Sequence, residues 1–219
     1  MQPGLERRLK AHVAGDVLFD RFSRGRYATD ASHYQMIPAG VVVPRSMDAA
    51  AAAIQIAREE GVPVTARGGG TSQCGQTVNS GLIIDGSKYL NRVLSLDAEA
   101  RKVTVEPGIV LDDLNRQLKK HGLWFPVDVS TASRATIGGM TANNSCGGRS
   151  IRYGTMRANV LAINATLADG AHVHLGEVSP DLSDVGAAER PLAEKLLAIG
   201  AREAAEVEAR FPKVHRRVG

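Results

Sequence analysis

Three consecutive glycines are the feature of this sequence that most clearly points to chemistry. They occupy positions 68–70, directly after a predicted strand, between Arg67 and the hydroxyl pair Thr71 and Ser72. Because glycine has no Cβ, a row of its backbone N–H groups can form a concave surface that binds phosphate oxygens. The hydroxyls would add donors, and Arg67 would add a positive charge. The same composition is equally consistent with a flexible surface turn, so the loop alone leaves both interpretations open.

A second candidate surface spans residues 126–148, a long segment that is poor in charged residues. Loops of this length usually have a function. Its small hydrogen-bonding side chains would let the backbone approach a ligand closely, and they are Ser130, Ser133, Thr136, Asn143 and Asn144. A loop that only faced solvent would carry more charge. We therefore interpret this segment as part of a ligand-binding surface.

Familiar nucleotide-binding and cysteine motifs do not occur. The glycine loop lacks the GxGxxG spacing that opens a helix, and residues 86–88 carry the GK[ST] residue types in the wrong order. Cys74 and Cys146 have no CxxC spacing, which excludes a cysteine zinc site and a disulfide scaffold. A redox pair is the open alternative, but we expect two buried small residues.

Two histidines alternate along a predicted strand and therefore point to one face. Two histidines alone are weak evidence for a metal ion, so for His172 and His174 we predict a solvated strand face and no metal site.

Composition bounds the class of protein. Hydrophobic residues make up 43% of the chain and charged residues 23%, which predicts a globular core rather than disorder. The formal charge is only +4, and four Phe, four Tyr and one Trp are too few for base-stacking platforms, so no nucleic-acid partner is expected. The first residues have no signal-peptide core, and no apolar run reaches membrane-spanning length. We expect a soluble, cytoplasmic chain without a transmembrane segment, with peripheral attachment to the inner membrane as an alternative.

The predicted elements place both glycine-rich segments between strands and helices. The strands are 41–43, 62–66, 82–84, 92–96, 102–106, 159–167 and 171–175. The helices are 4–14, 47–60, 111–121 and about 187–210. Ser46 caps the second helix and Gly61 ends it, while Gly122 ends the third. Residues 22–35 are interpreted as an ordered arm without periodicity.

The order of the elements predicts an α+β fold with two lobes, because strands and helices alternate first and a more antiparallel section follows. We expect the lobes to meet near residue 98. The predicted regions are an N-terminal helix and arm at 1–36, a first lobe at 37–98, a second lobe at 99–177, and a linker with the start of a truncated region at 178–219.

Five motifs in order resemble a known family. They are Val-Val-Val-Pro-Arg (41–45), Val-Thr-Ala-Arg-Gly-Gly-Gly-Thr-Ser (64–72), Val-Glu-Pro-Gly (105–108), Ala-Thr-Ile-Gly-Gly-Met-Thr-Ala-Asn-Asn (135–144) and Arg-Tyr-Gly-Thr (152–155). This set resembles the FAD-binding domain of the p-cresol methylhydroxylase/vanillyl-alcohol oxidase superfamily. Within it, the chain is most similar to the group of the glycolate oxidase D-subunit, D-lactate dehydrogenase and D-2-hydroxyglutarate dehydrogenase. The resemblance covers about residues 20–177 and includes the arm.

The resemblance implies that FAD lies stretched between the two lobes. Residues 67–72 match the loop around the pyrophosphate, residues 126–133 and 136–139 match the second-lobe segment facing the ribityl chain and pyrophosphate, and Val160 matches a backbone contact near the adenine. The cofactor-binding residues implied in this way are Pro44, Arg67, Gly68, Gly69, Gly70, Thr71, Ser72, Gly75, Gln76, Pro107, Pro126, Asp128, Ser130, Ser133, Thr136, Ile137, Gly138, Gly139, Asn143, Asn144, Gly147, Tyr153, Gly154 and Val160.

One position departs from the superfamily pattern. Members with covalent flavin often carry a histidine just after the paired glycines, where this sequence has Thr71. A threonine cannot form the histidyl–flavin bond, so the resemblance implies FAD that is bound non-covalently.

The resemblance also implies an activity. The intact protein would remove a hydride from C2 of a small 2-hydroxy acid such as D-lactate, glycolate or D-2-hydroxyglutarate, and the electrons would leave to an acceptor that the sequence does not identify. We expect the chain to be a fragment, inactive alone, whose substrate site and catalytic residues lie in a missing C-terminal part. A non-catalytic nucleotide-binding module and a flavoenzyme of the same fold with other chemistry, such as a cell-wall reductase, remain alternatives.

Overall fold

A four-stranded sheet forms the centre of the first lobe. In the computed structural model, which describes residues 3–212, its strands are β1 (Gly15–Leu18), β2 (Gly40–Pro44), β3 (Val64–Arg67) and β4 (Leu82–Asp85). The order across the sheet is β1-β2-β4-β3. β4 pairs in parallel with β2 and β3, and β1 runs antiparallel to β2. The central strands β2 and β4 are buried along their whole length, which explains the apolar runs Val41–Val43 and Leu82–Ile84 within them.

Both faces of this sheet are covered. On one face lie α1 (Pro3–His12) and α3 (Met47–Glu59), whose apolar side chains form one core with Val42 and Leu82. The predicted stripe of α1 is confirmed, since Leu5 and Leu9 are fully buried. On the opposite face, Tyr27 of the arm and Tyr89 pack against the other side of β2 and β4.

Helix α3 shows why the sequence predicts this lobe well. The Ser46 side chain accepts a hydrogen bond from the Ala49 N–H at 3.1 Å, which is the predicted N-cap. Gly61 follows the helix with a φ of +65°, a conformation that glycine adopts without strain. Alanines at positions 49, 50, 53 and 57 are buried and let the helix lie close to the sheet.

The second lobe has its own core. It is formed by α4 (Leu111–Leu118), by apolar residues of the 123–140 segment and by the hairpin of β5 (Val93–Asp97) and β6 (Lys102–Val105). Gly122 ends the α4 region with a φ of +70°, as predicted. The other elements are α2 (Arg21–Arg26), α5 (Ile137–Ala142), α6 (Ser150–Tyr153), α7 (Met156–Asn159), β7 (Ile163–Thr166), β8 (His172–Leu175) and α8 (Arg190–Arg210).

Four short helices were not expected from the sequence. The arm begins with α2, whose start is capped by Asp20 accepting from the Ser23 N–H at 2.9 Å. α5 interrupts the 126–148 segment predicted as a loop, α6 follows that segment, and α7 ends at Asn159, so the strand predicted from residue 159 begins only at Ile163. Each has six residues or fewer, too short for a helical period to show, and the glycines of α5 hide it further.

The predicted hairpin through Asp169 and Gly170 forms, with β7 antiparallel to β8.

The predicted boundary near residue 98 falls inside the β5–β6 ladder, and Val93 and Leu96 pack in the second core. We therefore propose that the lobes divide between the end of β4 and the start of β5.

Helix α8 follows the second lobe, and within residues 3–212 it has no buried side chain. The charged residues 213–217 and the predicted junction beyond position 212 lie outside the described residues. Of the helices described, none is both long enough and apolar enough to span a membrane.

Glu106, which follows β6, has a buried carboxylate that binds Arg92, the residue before β5. Glu106 is 4% exposed and accepts hydrogen bonds from the Arg92 N–H at 2.9 Å and from its guanidinium at 2.8 and 3.1 Å. The hydrogen bond from Arg92 holds the pKa of Glu106 below its ordinary value, although burial opposes this shift. Because the folded-state pKa is lowered, this stabilisation is complete above the ordinary pKa of 4.5 and is lost as the pH falls through the folded-state pKa.

A Glu106→Gln variant is therefore expected to lose about 1 kcal/mol of unfolding free energy at neutral pH. The difference from the wild type should shrink as the pH drops below 4.5, because protonation removes the charge from the wild type as well. Urea denaturation between pH 3 and 7 (the range that brackets the ordinary carboxyl pKa values) measures the difference. Glu99→Gln, an exposed position in the turn of the same hairpin, is the matched control. A pH-independent difference would contradict the assignment.

Candidate functional site

The glycine loop leaves the carboxyl edge of the first-lobe sheet. The parallel strands β2, β3 and β4 end there at Pro44, Arg67 and Asp85. The carboxyl ends of parallel strands are where open sheets bind ligands, since loops diverge there and leave a crevice. Two of the predicted site residues, Pro44 and Arg67, thus lie at one edge.

The first two glycines of the loop touch the second lobe. A Cβ added to Gly68 would overlap Oγ1 of Thr136, and a Cβ added to Gly69 would overlap the carbonyl oxygen of Arg134. Only glycine, which has no Cβ, leaves room for these two contacts. The structure therefore brings the loop against the hydroxyl-bearing segment of the second lobe, as the sequence predicts. It also adds Arg134, whose backbone role no side-chain pattern could reveal.

In the described part of the chain, no hydrogen bond is donated by the backbone N–H groups of residues 68–72. Gly70 has a φ of +65°, which turns the chain sharply at this point. A half-buried turn with consecutive unsatisfied amides is an arrangement that binds anions.

Ser72 organises the end of the loop. Its hydroxyl oxygen accepts from the Cys74 N–H at 3.2 Å and from the Gln76 N–H at 3.4 Å, and it also contacts the Gln76 side chain. The Gln76 amide in turn donates to Asn143 Oδ1 of the second lobe at 3.2 Å. A second bridge between the lobes therefore joins two predicted site residues.

Other predicted residues meet one another on the second-lobe side. The Ile137 and Gly138 N–H groups donate to the carbonyls of Ile109 and Pro107, at 2.9 and 2.8 Å. A Cβ at Gly138 would lie 2.6 Å from Pro107 Cβ. Thr136 caps α5 by accepting from the Gly139 N–H at 3.3 Å. Because these amides are already bonded, Ile137 and Gly138 shape the site through packing.

Two polar side chains, Asp128 and Asn144, form hydrogen bonds at the C-terminal end of the 126–148 segment. Asp128 Oδ1 accepts from the Arg149 N–H at 3.0 Å, and a Cβ at Gly147 would overlap the Asp128 carbonyl oxygen. Asn144, with a φ of +46°, accepts from Thr155 Oγ1 at 2.9 Å. Asp128 and Asn144 thus bond to their own segment, and the structure shows them as supports of the turn.

The remaining predicted residues are not joined to the loop by the contacts described. Tyr153 packs edge-on against Trp124 at 5.3 Å, Gly154 turns with a φ of +78°, and the Val160 N–H donates to the Met156 carbonyl at 2.9 Å. Pro126 is half-buried, and Ser130 and Ser133 are exposed to solvent.

The Arg67 side chain points to the arm. Its guanidinium donates to the backbone carbonyls of Tyr27 and Thr77 at 3.4 Å and of Thr29 at 2.8 Å. The sequence pattern gave Arg67 a role in phosphate binding, and it gave no sign that the arm would reach the loop. The only local signal is the Asp-x-Ser turn, in which Asp30 accepts from Ser32.

The prediction for the two cysteines was wrong, and the predicted exposed strand face of His172 and His174 is confirmed. Cys74 is exposed and Cys146 is half-buried, so the expectation of two buried residues was wrong. His172 and His174 are exposed on one strand face and bond to Thr166 and Asn164 of β7, as a solvated face requires. Within residues 3–212, no group of three metal-ligating side chains is close enough to hold an ion.

The fold is a two-lobed α+β domain in which the glycine loop of the first lobe is set against the second lobe. A sequence model described as "FAD binding domain" matches residues 38–176. The chain belongs to this family of FAD-binding domains.

The relatives that the chain matches have the names of enzymes, and each is much longer than this chain. The chain is 36% identical over 162 residues to D-2-hydroxyglutarate dehydrogenase of Haemophilus influenzae, an alignment covering 73% of this chain and 16% of that protein. It is 36% identical over 169 residues to glycolate oxidase subunit GlcD of Bacillus subtilis, covering 75% and 36%. With D-lactate dehydrogenase of Archaeoglobus fulgidus it shares 38% identity over 138 residues, covering 62% and 30%. The chain thus spans between 16% and 36% of the length of these relatives.

Solved structures support the fold. Alkyldihydroxyacetonephosphate synthase superposes with a TM-score of 0.72 at 23% identity, over 81% of this chain and 35% of that protein. Carbohydrate oxidase from Microdochium nivale gives a TM-score of 0.68 at 22% identity, over 83% and 38%. At these identities the likeness concerns the fold alone.

The residues fit FAD on the structure's own evidence. FAD carries a diphosphate, and the unpaired amides of residues 68–72 offer donors where side chains larger than glycine would collide with the second lobe. The family match over residues 38–176 identifies FAD as the cofactor of this domain.

Proposed function

We propose that the chain holds FAD non-covalently between its lobes and that the whole protein oxidises a small 2-hydroxy acid. The observation that carries the first half is the row of unpaired amides in the glycine loop, set against Thr136 and Arg134 of the second lobe. The second half is supported by the names of the relatives, which are dehydrogenases or oxidase subunits for 2-hydroxy acids.

The residues have distinct proposed roles. The amides of residues 68–72 bind the diphosphate, and the hydroxyls of Thr71 and Ser72 add donors at its rim. Gln76 and Asn143 close the cleft between the lobes. Pro44 lies at the sheet edge, and the second-lobe residues 126–139 face the same cleft. Val160 contributes its backbone carbonyl near the adenine, because its N–H is already bonded to Met156.

Bound FAD supplies the redox chemistry, accepting the electrons of the substrate. This chain's residues bind and orient it. None of the described residues is proposed as the catalytic base, so the group that removes the hydroxyl proton belongs to the rest of the protein. The electron acceptor is a quinone, a cytochrome, a partner flavoprotein or oxygen, which assays of the whole protein would distinguish.

FAD binding is expected to require the diphosphate. Titration of the protein into FAD should give a saturable change in flavin fluorescence, ADP should compete, and riboflavin should not bind measurably, because it carries no phosphate for the amides. Acid precipitation should leave all flavin in the supernatant, since Thr71 cannot form a histidyl bond. A colourless protein that takes up no FAD would favour a non-catalytic module, and riboflavin binding as tight as FAD would contradict the placement of the phosphates.

The substrate class is tested with the whole protein. We expect flavin bleaching by one of D-lactate, glycolate and D-2-hydroxyglutarate under anaerobic conditions, and no bleaching by L-lactate or L-2-hydroxyglutarate. A protein that keeps FAD but is bleached by none of these acids would indicate other chemistry on the same fold.

A further inference from the structure

The arm, residues 22–35, precedes the matched FAD-binding domain of residues 38–176 yet contacts its cofactor loop. The Ala31 N–H donates to the Gly70 carbonyl at 3.1 Å, and Thr77 Oγ1 donates to Asp30 Oδ2 at 3.0 Å. A Cβ at Gly75 would lie 2.7 Å from the Tyr34 ring. The loop is therefore enclosed by the arm on one side and by the second lobe on the other.

Arg67 is the centre of this contact. Its guanidinium binds three carbonyls, two on the arm and one at Thr77, which follows the loop. It also lies over the Tyr27 ring, 5.3 Å from the centroid. No carboxylate forms an ion pair with Arg67 among residues 3–212, so its donors are directed to backbone. One side chain thus ties together the start of the loop, the backbone at Thr77 beyond the loop, and the arm.

The turn at Gly70 depends on the same side chain. A Cβ at Gly70 would lie 2.6 Å from Arg67 Nη2, so the guanidinium packs directly on the Gly70 backbone. Its φ of +65° is the conformation that turns the loop, and the arm binds its carbonyl through Ala31. The contacts that fix this turn come from the arm and Arg67, while the amides of the loop are left unpaired.

The base of the arm is anchored to the sheet. The Tyr27 hydroxyl donates to the buried Asp85 carboxylate at 2.7 Å, and Asp85 ends β4, the neighbour of β3. The arm cannot shift relative to the loop without breaking a buried hydrogen bond, which is costly.

We propose that the arm is part of the cofactor site and that Arg67 is a positioning residue, which holds the glycine loop in its FAD-binding conformation by clamping it to the arm. The inference rests on the proposed binding of FAD by the loop amides. It assigns Arg67 to the backbone of Tyr27, Thr29 and Thr77, in place of a direct contact with phosphate.

The test compares two variants that release the clamp in different ways. Arg67→Met removes the guanidinium, and Thr77→Val removes only the hydroxyl that binds Asp30, without changing the charge. Both should speed hydrogen exchange at residues 27–34 of the apoprotein and raise the Kd for FAD, by about 10- to 100-fold for Arg67→Met and about fivefold for Thr77→Val. Arg67→Lys should fall between Arg67→Met and the wild type, because one ammonium can bind a carbonyl but cannot bridge three.

Arg8→Met is the matched control. Arg8 ties α1 to Glu59 and Glu60 of α3, away from the loop, so its loss should lower stability and leave the exchange of the arm and the Kd unchanged. A raised Kd for Arg67→Met with unchanged exchange in the arm, together with a normal Thr77→Val, would overturn the clamp in favour of a direct charge on phosphate. Faster exchange with an unchanged Kd would show that the arm is not part of the site. Failure of the wild type to bind FAD would overturn the proposed function, and this inference with it.

Discussion

A Gly69→Val variant is expected to bind FAD at least about 100-fold more weakly than the wild type and to unfold at a lower temperature. The added Cβ overlaps the Arg134 carbonyl oxygen and lies 2.9 Å from its carbon. Both are backbone atoms that cannot rotate away, so the lobes must separate or the loop must move. Either response displaces the amides that would bind the diphosphate, because they belong to the same turn.

Titration with FAD and thermal unfolding of the apoprotein measure the two effects separately. Gly69→Ala should show the same losses to a smaller degree, since overlap begins at the Cβ. Gly200→Ala in α8 is the matched control, because a Cβ there meets no atom within 4 Å. A Gly69→Val protein with wild-type affinity for FAD would show that the loop does not form the diphosphate site.

In the first lobe, the sequence predicts β2, α3, β3 and β4 because their signals are local, whereas β1 and α2 were not predicted. Ser46 and Gly61 mark the ends of α3, and uniformly apolar triplets mark the buried strands. The second lobe is harder to predict, since its segment from 126 to 154 forms short helices whose glycines serve contacts with distant residues. Gly138 is glycine because of Pro107, and Gly147 because of Asp128. No local pattern can report such pairs.

In the site, too, residues with local sequence signals could be predicted, and residues defined by distant contacts could not. Gly68, Gly69 and Thr136 could be predicted as neighbours of one ligand, because glycine runs and hydroxyl-rich loops are typical of such surfaces. The arm could not be predicted as a part of it. Arg67 looks like a phosphate ligand in sequence, and only the positions of three carbonyls show where its donors go. The partners of the Arg67 side chain therefore could not be predicted from the sequence.

The contact between the lobes can be tested by a repair experiment, because the two glycines meet different kinds of atom. A Cβ at Gly68 overlaps the Thr136 side-chain oxygen, whereas a Cβ at Gly69 overlaps a main-chain carbonyl. Gly68→Ala should therefore weaken FAD binding by about 10- to 100-fold. Thr136→Ala should cost about 1 kcal/mol of stability through loss of the α5 cap.

The double variant Gly68→Ala/Thr136→Ala should recover most of the affinity lost in Gly68→Ala. Removing the hydroxyl leaves the Thr136 Cβ as the nearest remaining atom, at 3.3 Å from the new Cβ, which a small adjustment accommodates. We expect a coupling of about 1–2 kcal/mol in the double-mutant cycle, measured by FAD titration. The pair Gly69→Ala/Thr136→Ala is the control and should be additive, since no side-chain truncation relieves a clash with a carbonyl. Additivity in both cycles would mean that Gly68 and Thr136 do not meet, and the cleft between the lobes would have to be placed elsewhere.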